Sequence, residues 1–427
     1  LTTGFGRFAN VKISFETVQK LSRKTSNYST DLLIVDEVHH LAGKSFRNAL
    51  HIDCKWQLGL TAWLGQKVTR RELIKKELGP ISYQYTLHQA LEDGIIPSFE
   101  WTVHPTYLNI IEEEEFERIS KAISTLFNTV RYDIITIKKI LLKDKEKYED
   151  IIPDSENVES LYMYNIGDFI KLLEIARLKG GISLPDDWKT LQALILKRRL
   201  IINKSQPRID RAEKLIKKLG NQHHVIVFLM DIESCEKMRE HLKGFVDNIF
   251  VIHSQIEEDP ISVAEAFRKS KNGVLIGAQM LNEGIDIKNA DIGINLAFAK
   301  SEIQLIQRMG RVLRKEGKKR PTFYQFVAIP DKEHYLDIID ADEFADDLAW
   351  VESTGLKMGL NLTVEWDDKE LIKYKADVEE FWRANSGISK IGTFNAEAAV
   401  SEFTKKLVEQ VMKTRKWRDP SLERFIY

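Results

Sequence analysis

The stretch from 31 to 41, Asp-Leu-Leu-Ile-Val-Asp-Glu-Val-His-His-Leu, limits what this chain can be more than any other. Leu32 to Val35 is a short, wholly apolar run, the pattern of a strand buried on both faces of a parallel sheet. Asp36 and Glu37 follow it with no spacer. The carboxyl end of such a strand is where open parallel sheets bind ligands. Adjacent carboxylates repel each other, and a hard divalent ion offsets that repulsion. One acid then helps hold Mg²⁺, directly or through water, while the second polarises an attacking water. The plain alternative is a strand that ends in two solvated acids.

Three more stretches narrow the choice. Gln57-Leu-Gly-Leu-Thr61-Ala62 reads as a second buried strand ending in a small-residue turn. Val274 to Ile287 is a third strand with a glycine turn, and Gln304 to Arg314 sets Gln307, Arg308, Arg311 and Arg314 at helical spacing. In this order the four resemble motifs II, III, V and VI of superfamily 2 helicases of the Asp-Glu-x-His kind. Asp36-Glu-Val-His-His40, with Phe46-Arg47 after it, is most similar to the xeroderma pigmentosum group B-like and restriction-enzyme-like branches.

That resemblance implies an α/β fold of tandem RecA-like parallel-sheet lobes that clamp ATP and Mg²⁺ between them. It assigns Asp36 to the metal, Glu37 to the attacking water and His39 to the ATP site. Gln307 and Arg308 would link the phosphates to motif II. Arg311 and Arg314, three apart on one helix face, match the arginine fingers, and Gly284 and Asp286 match the turn at ATP and the ribose. Thr61 and Ala62 would couple hydrolysis to strand movement. Thr17 and Gln19 resemble motif Ib, where a hydroxyl and a helix amino terminus meet nucleic-acid phosphates, although a threonine that only caps a helix fits as well. His253, Ser254 and Gln279 would also face the nucleic acid, which crosses the tops of both lobes, with DNA favoured over RNA.

Departures bear on mechanism. Motif III ends in Trp63 instead of a hydroxyl residue, and Ala278 stands where motif V usually starts with threonine. Both hydroxyls belong to coupling networks, so translocation without strand separation is a fair alternative to unwinding. The phosphate-cradling loop Gly-x-x-x-x-Gly-Lys-Ser/Thr is expected upstream of motif II, and the sequence contains none. Gly43-Lys44-Ser45 follows the acids and has Val38 in place of the first glycine. The chain therefore reads as clipped at its amino end, and these residues alone are expected to hydrolyse little ATP. A remnant that clamps nucleic acid or a protein without hydrolysis is the competing reading.

At 427 residues and 43% hydrophobic content the chain supports two or three domains. The pattern divides it into a partial first lobe at 1–97 and a second lobe at 98–111 and 200–335. A helical insertion at 112–199 interrupts the second lobe, and a mixed carboxy-terminal appendage at 336–427 offers a surface to a protein partner. Asp93-Gly94-Ile-Ile-Pro97 reads as the hinge. No apolar run approaches a membrane span, no basic and apolar leader opens the chain, and two isolated cysteines suit a reduced cytoplasmic protein. His51 and Cys54 lack the second pair that zinc requires.

Net charge is −1, so affinity for nucleic acid must come from local patches. Lys197 to Lys218 holds nine basic residues against Asp210 and Glu213, which makes Arg198, Arg199 and Lys204 candidate phosphate contacts. The rival account pairs this stretch with acids such as Glu112 to Glu115, a run that otherwise reads as a solvated first helical turn.

Overall fold

Parallel strand pairing builds both halves of the chain, as the short apolar runs require. The computed structural model describes residues 5–8, 11–23, 28–42, 48–61, 74–143, 177, 186–278, 290–297, 302–312, 320–330, 347–373 and 376. It divides into two units, Leu1–Tyr85 and Thr86–Tyr427.

In the first unit, β1 (Phe5–Phe8) and β2 (Val11–Ser14) form an antiparallel hairpin, followed by the short helix α1 (Val18–Arg23). The strands β3 (Ser29–Val35) and β4 (Asp53–Gly59) pair in parallel, with Leu32 opposite Trp56 and Val35 opposite Gly59. Successive side chains point to opposite faces. One face sends Leu33 and Val35 into a core with Val38, Leu41, Ala49, Leu50 and Ile74. On the other face Leu32, Ile34 and Trp56 are 49%, 54% and 72% exposed. Burial on both faces is thus corrected: among the described residues, one side of β3 and β4 carries a packed layer.

The second unit holds β5 (Glu100–Tyr107), β6 (His224–Phe228), β7 (Ile249–Ile252), β8 (Gly273–Gly277), β9 (Ile292–Asn295), β10 (Thr322–Ile329) and β11 (Thr363–Val364). They form one sheet in the order β11-β5-β10-β9-β6-β8-β7, and each pairing is parallel. Its helices are α2 (Leu87–Glu92), α3 (Ile110–Lys143), α4 (Asp187–Asn203), α5 (Gln206–Leu219), α6 (Ile232–Leu242), α7 (Pro260–Lys269), α8 (Glu302–Val312) and α9 (Asp347–Met358). Parallel sheets need both faces covered, and the alternation along the strands supplies two apolar faces. Ile226, Phe228, Phe323 and Val327 meet Phe267 of α7 and Leu305, Met309 and Val312 of α8. Val225, Val227, Ile292 and Ile294 meet Ala212 and Ile216 of α5 and Met238 and Leu242 of α6. Helices α5 and α8 therefore lie on opposite faces. Gly293 lets α8 sit close, since a Cβ there would fall 2.8 Å from both Val312 and Phe323.

Between β5 and β6 the described chain is helical. α3 and α4 pack on each other, and Phe116 and Ile202 cover Leu108 and Ala328 at the end of the sheet. The acids that open α3 are not merely solvated. Asn109 and Glu112 form a reciprocal cap, and Glu112 also accepts from the Gln206 amide at 2.6 Å and the Ser205 hydroxyl at 3.2 Å. Glu115 pairs with Lys197 at 2.8 Å.

The second unit begins with the capping box of Thr86 and Gln89, ahead of the Asp93–Pro97 turn. At the other end, α9 places Leu348, Val351 and Met358 in the main core, and β11 extends the sheet beyond β5. Residues 347–373, expected in an appendage, are built into this unit. Most of the expected helical insertion between 144 and 185, and the end of the expected appendage from 377 to 427, lie outside the described residues. Among the described residues no helix is long and apolar enough to cross a membrane.

One buried titratable group gives the fold a pH dependence. His104 of β5 is 7% exposed, stacked on Phe326 and Tyr324 at 4.8 and 5.6 Å between ring centroids. Among the described residues neither ring nitrogen has a hydrogen-bond partner, and the Glu365 carboxylate lies 3.8 Å away. Burial above all, then the charge of Arg211, pushes its pKa down from 6.5 to about 4. The fold keeps His104 neutral while the unfolded chain takes up a proton near pH 6.5. Its contribution to stability is thus complete above pH 6.5 and is lost as pH falls to about 4, by roughly 3 kcal/mol. Unfolding free energies from urea titration of the protein and of His104→Phe should diverge by about that much across this range. Parallel pH profiles would contradict the assignment.

Candidate functional site

The acids lie where the sequence puts them, just past the end of β3. Asp36 is exposed, and its Oδ1 accepts from the Glu37 amide at 2.9 Å. Glu37 has a φ of +48°, the one described residue other than glycine in the left-handed region. For a side chain with a Cβ this costs of order 1–3 kcal/mol and persists only where the surroundings impose it. Here they do. The Val38 amide donates to the Leu60 carbonyl at 2.9 Å and the Leu60 amide to the Val35 carbonyl at 2.8 Å, so the β3–β4 ladder continues through the turn. Gly59 makes room, because a Cβ there would meet Val38 Cγ1 at 3.0 Å and Leu78 Cδ1 at 2.7 Å. A glycine closing an apolar strand was its only mark in the sequence.

His39 joins the acids to the second strand. It is buried, with Nδ1 2.9 Å from the Thr61 hydroxyl and 3.2 Å from Glu37 Oε2. His39 Nδ1 thus hydrogen-bonds Thr61 and lies at ion-pair distance from Glu37, which brings the expected water-activating acid and the expected coupling residue to one nitrogen. Ala62 lies outside the described residues. Mg²⁺ usually takes one or two carboxylates together with waters and phosphate oxygens, not an all-protein cage. The exposed Asp36 carboxylate at a strand end fits that need. Among the described residues no group of three or more His, Cys, Asp or Glu could hold a metal.

In the second unit, α8 sorts its polar residues by face. Gln307 and Arg311, four apart on one side, are partly exposed. Arg308 is buried and donates to the Ala297 carbonyl, to Asn295 Oδ1 at 3.2 Å and to Gln304 Oε1 at 3.3 Å. Its guanidinium also lies over the Phe228 ring, and burial lowers its pKa to about 10, so it remains charged at neutral pH. Arg308, expected at ATP, thus braces its own lobe through Ala297, Asn295 and Gln304. Arg314, Gly284, Asp286 and Gln279 lie outside the described residues.

The expected nucleic-acid contacts divide. His253 is buried; it accepts from the Gln255 amide at Nδ1 (3.2 Å), so Nε2 carries the proton and donates to Glu236 at 2.9 Å. Both nitrogens are engaged within the protein, so His253 braces a turn on which Ser254, expected at nucleic acid with it, is exposed. Thr17 accepts from the Lys20 amide at both its hydroxyl (3.3 Å) and its carbonyl (3.0 Å), capping α1, with Gln19 exposed beside it.

The basic stretch divides too: its arginines turn inward, while Lys197, Lys204, Lys214 and Lys218 are exposed. Arg198 is buried and donates to Ser120 at 3.1 Å, Arg199 pairs with Asp347 at 3.1 Å, and Lys204 lies 3.3 and 3.1 Å from Asp231 and Glu233. Arg211 binds the Pro105 carbonyl, Asp367 and Glu370. Arg198 and Arg199 are thus turned to partners within this unit, while Lys204, expected with them at phosphates, is exposed beside Asp231 and Glu233. Neutralising all three should cost roughly 3–5 kcal/mol of stability, chiefly by stranding the buried Asp347. The salt dependence of nucleic-acid binding should stay unchanged. A slope flattened by about two, with stability intact, would restore the phosphate role.

The family model of the helicase conserved C-terminal domain matches residues 208–316, and that of the type III restriction enzyme res subunit matches 6–65. The DNA 3'-5' translocase XPB2 of Sulfurisphaera tokodaii is 23% identical over 292 residues, covering 67% of this chain and 56% of that protein. MJ1505 of Methanocaldococcus jannaschii, named as a candidate ATP-dependent RNA helicase, is 25% identical over 334 residues, covering 67% and 42%. The chain thus spans about half the length of these relatives. Among solved structures, the Hef helicase domain of Pyrococcus furiosus is 17% identical, covers 73% of this chain and 75% of that one, and aligns with a TM-score of 0.38.

Proposed function

From the premise that this chain belongs to the superfamily 2 helicases, with features of the type III restriction enzyme and XPB-like branches, we propose that it is part of an ATP-driven motor that moves along nucleic acid. The observation that carries this is the Glu37–His39–Thr61 cluster behind the exposed Asp36. A merely solvated strand end has no need of a left-handed Glu37, nor of a buried histidine joining it to the next strand.

In this reading Asp36 holds Mg²⁺, and Glu37 orients a water and takes its proton. His39 fixes the Glu37 carboxylate and passes its state to Thr61. Bound ATP and Mg²⁺ supply the phosphoanhydride and the neutralisation of its charge. Gln307 and Arg311 present polar and cationic groups for the developing negative charge. Hydrolysis also calls for a phosphate-cradling loop in addition to the residues here. Nucleic acid meets Ser254 and the amino-terminal turn of α1. DNA is proposed ahead of RNA, in keeping with the name of the XPB2 relative.

Movement along a duplex without strand separation is the second reading, favoured by Trp63 and Ala278 in place of hydroxyl residues. Two substrates separate the readings in a protein carrying this chain and a phosphate loop. Displacement of a third strand from a DNA triplex, without unwinding of a plain duplex, supports translocation. Unwinding of the duplex supports a helicase. Activity on RNA alone would overturn the choice of DNA.

A further inference from the structure

We infer that Arg208 is a positioning residue for helix α8: with Arg308, it fixes the exit of β9 from the two faces of the sheet. This rests on the reading that α8 brings Gln307 and Arg311 to ATP.

Arg208 breaks the ordinary rules of placement. It is 1% exposed, in the first turn of α5, where the helix dipole disfavours a cation. Its guanidinium donates to the Leu296 carbonyl at 3.1 Å and to the Asn203 carbonyl, while its Nε and Nη1 meet no acceptor among the described residues. Burial holds its pKa down at about 10, with the charges of Asp347 and Glu112 opposing the fall, so it remains a cation at neutral pH. An apolar residue would fill this place more cheaply if packing were the sole need.

What the charge secures is one carbonyl at the carboxyl end of β9. The neighbouring carbonyl, Ala297, is held by Arg308 of α8, which also binds Asn295. Asn295 in turn donates to Gln325 of β10 at 2.6 Å. Because α5 and α8 lie on opposite faces, two buried guanidiniums grip consecutive carbonyls from opposite sides. From Ala297 the chain reaches Glu302, the first residue of α8, five positions later. Local rules broken at some cost mark strained or functional places, and a site held to within a fraction of an ångström needs such support.

Hydrogen exchange on the 427-residue protein tests this without any need for hydrolysis. In Arg208→Met, amides of α8 should exchange about tenfold faster, while those of β6 and β8 stay within about twofold of the parent protein. Arg208→Lys keeps the charge but loses the planar fork, so α8 should fall between the two. Should Arg208→Met fail to fold, Arg208→Lys against the parent gives the same comparison. Unchanged exchange in α8, or faster exchange in β6 and β8 in step with it, would overturn the proposal. In a form that hydrolyses ATP, Arg208→Lys should lower kcat and leave KM unchanged. A parent protein that never hydrolyses ATP counts against the proposed function, and the exchange pattern still decides the role of Arg208.

Discussion

Replacing Glu37 with Gln should abolish ATP turnover, lowering kcat on the order of 10²–10⁴-fold, while nucleotide binding stays nearly unchanged. The amide is isosteric, so the left-handed turn, the Val38–Leu60 bond and the packing on Gly59 should all survive. What is lost is an acceptor for the proton of the attacking water. The measurement is steady-state hydrolysis beside nucleotide binding by equilibrium titration, in a form that carries the phosphate-cradling loop. Turnover at the parent rate would remove Glu37 from the reaction. A collapse of binding together with turnover would make it a structural residue of the turn.

The second large effect belongs to Arg311. Arg311→Ala should reduce turnover on the order of 10³-fold if its guanidinium meets the transferring phosphoryl group. The neighbouring Arg308→Ala should act differently. It removes the donors to Ala297, Asn295 and Gln304, so lost stability should come with, or precede, lost activity. Thermal unfolding and kcat measured on both variants separate a group at the phosphate from a brace. Unchanged turnover in Arg311→Ala would take it out of the site.

How much of this was legible in the sequence depends on which force decides each position. Asp36 and Glu37 were legible because two carboxylates at the end of an apolar strand are a chemical statement that holds before any packing is known. The strand at Val274 was legible from its apolar run, as was the second lobe's return at 200–335. The order in which the strands pair was not, since β5, 117 residues ahead of β6 in the chain, reaches the sheet past three helices' worth of sequence. The charged residues misled where charge was read without its face. Arg198 sits in the stripe Trp188, Leu191, Ile195, Arg198 and Ile202, all buried, so its spacing marked it as inward-facing. Arg308 shares the inner face of α8 with Leu305, Met309 and Val312 in the same manner. His253 carried no such mark, because its partner Glu236 comes from a separate helix. The exposed face of Leu32, Ile34 and Trp56 could not be read either, for an apolar run states what a strand can bury and not what lies beside it.

The central claim is that the polar cluster at Glu37 serves hydrolysis driven by nucleic acid. Its most direct test is the rate of ATP hydrolysis with and without single- and double-stranded DNA, in a protein that joins this chain to a phosphate-cradling loop. The account predicts a rate that DNA raises about tenfold or more and that Glu37→Gln abolishes. A protein that binds DNA tightly yet hydrolyses no ATP under any of these conditions would contradict it, and the chain would then be a clamp instead of a motor.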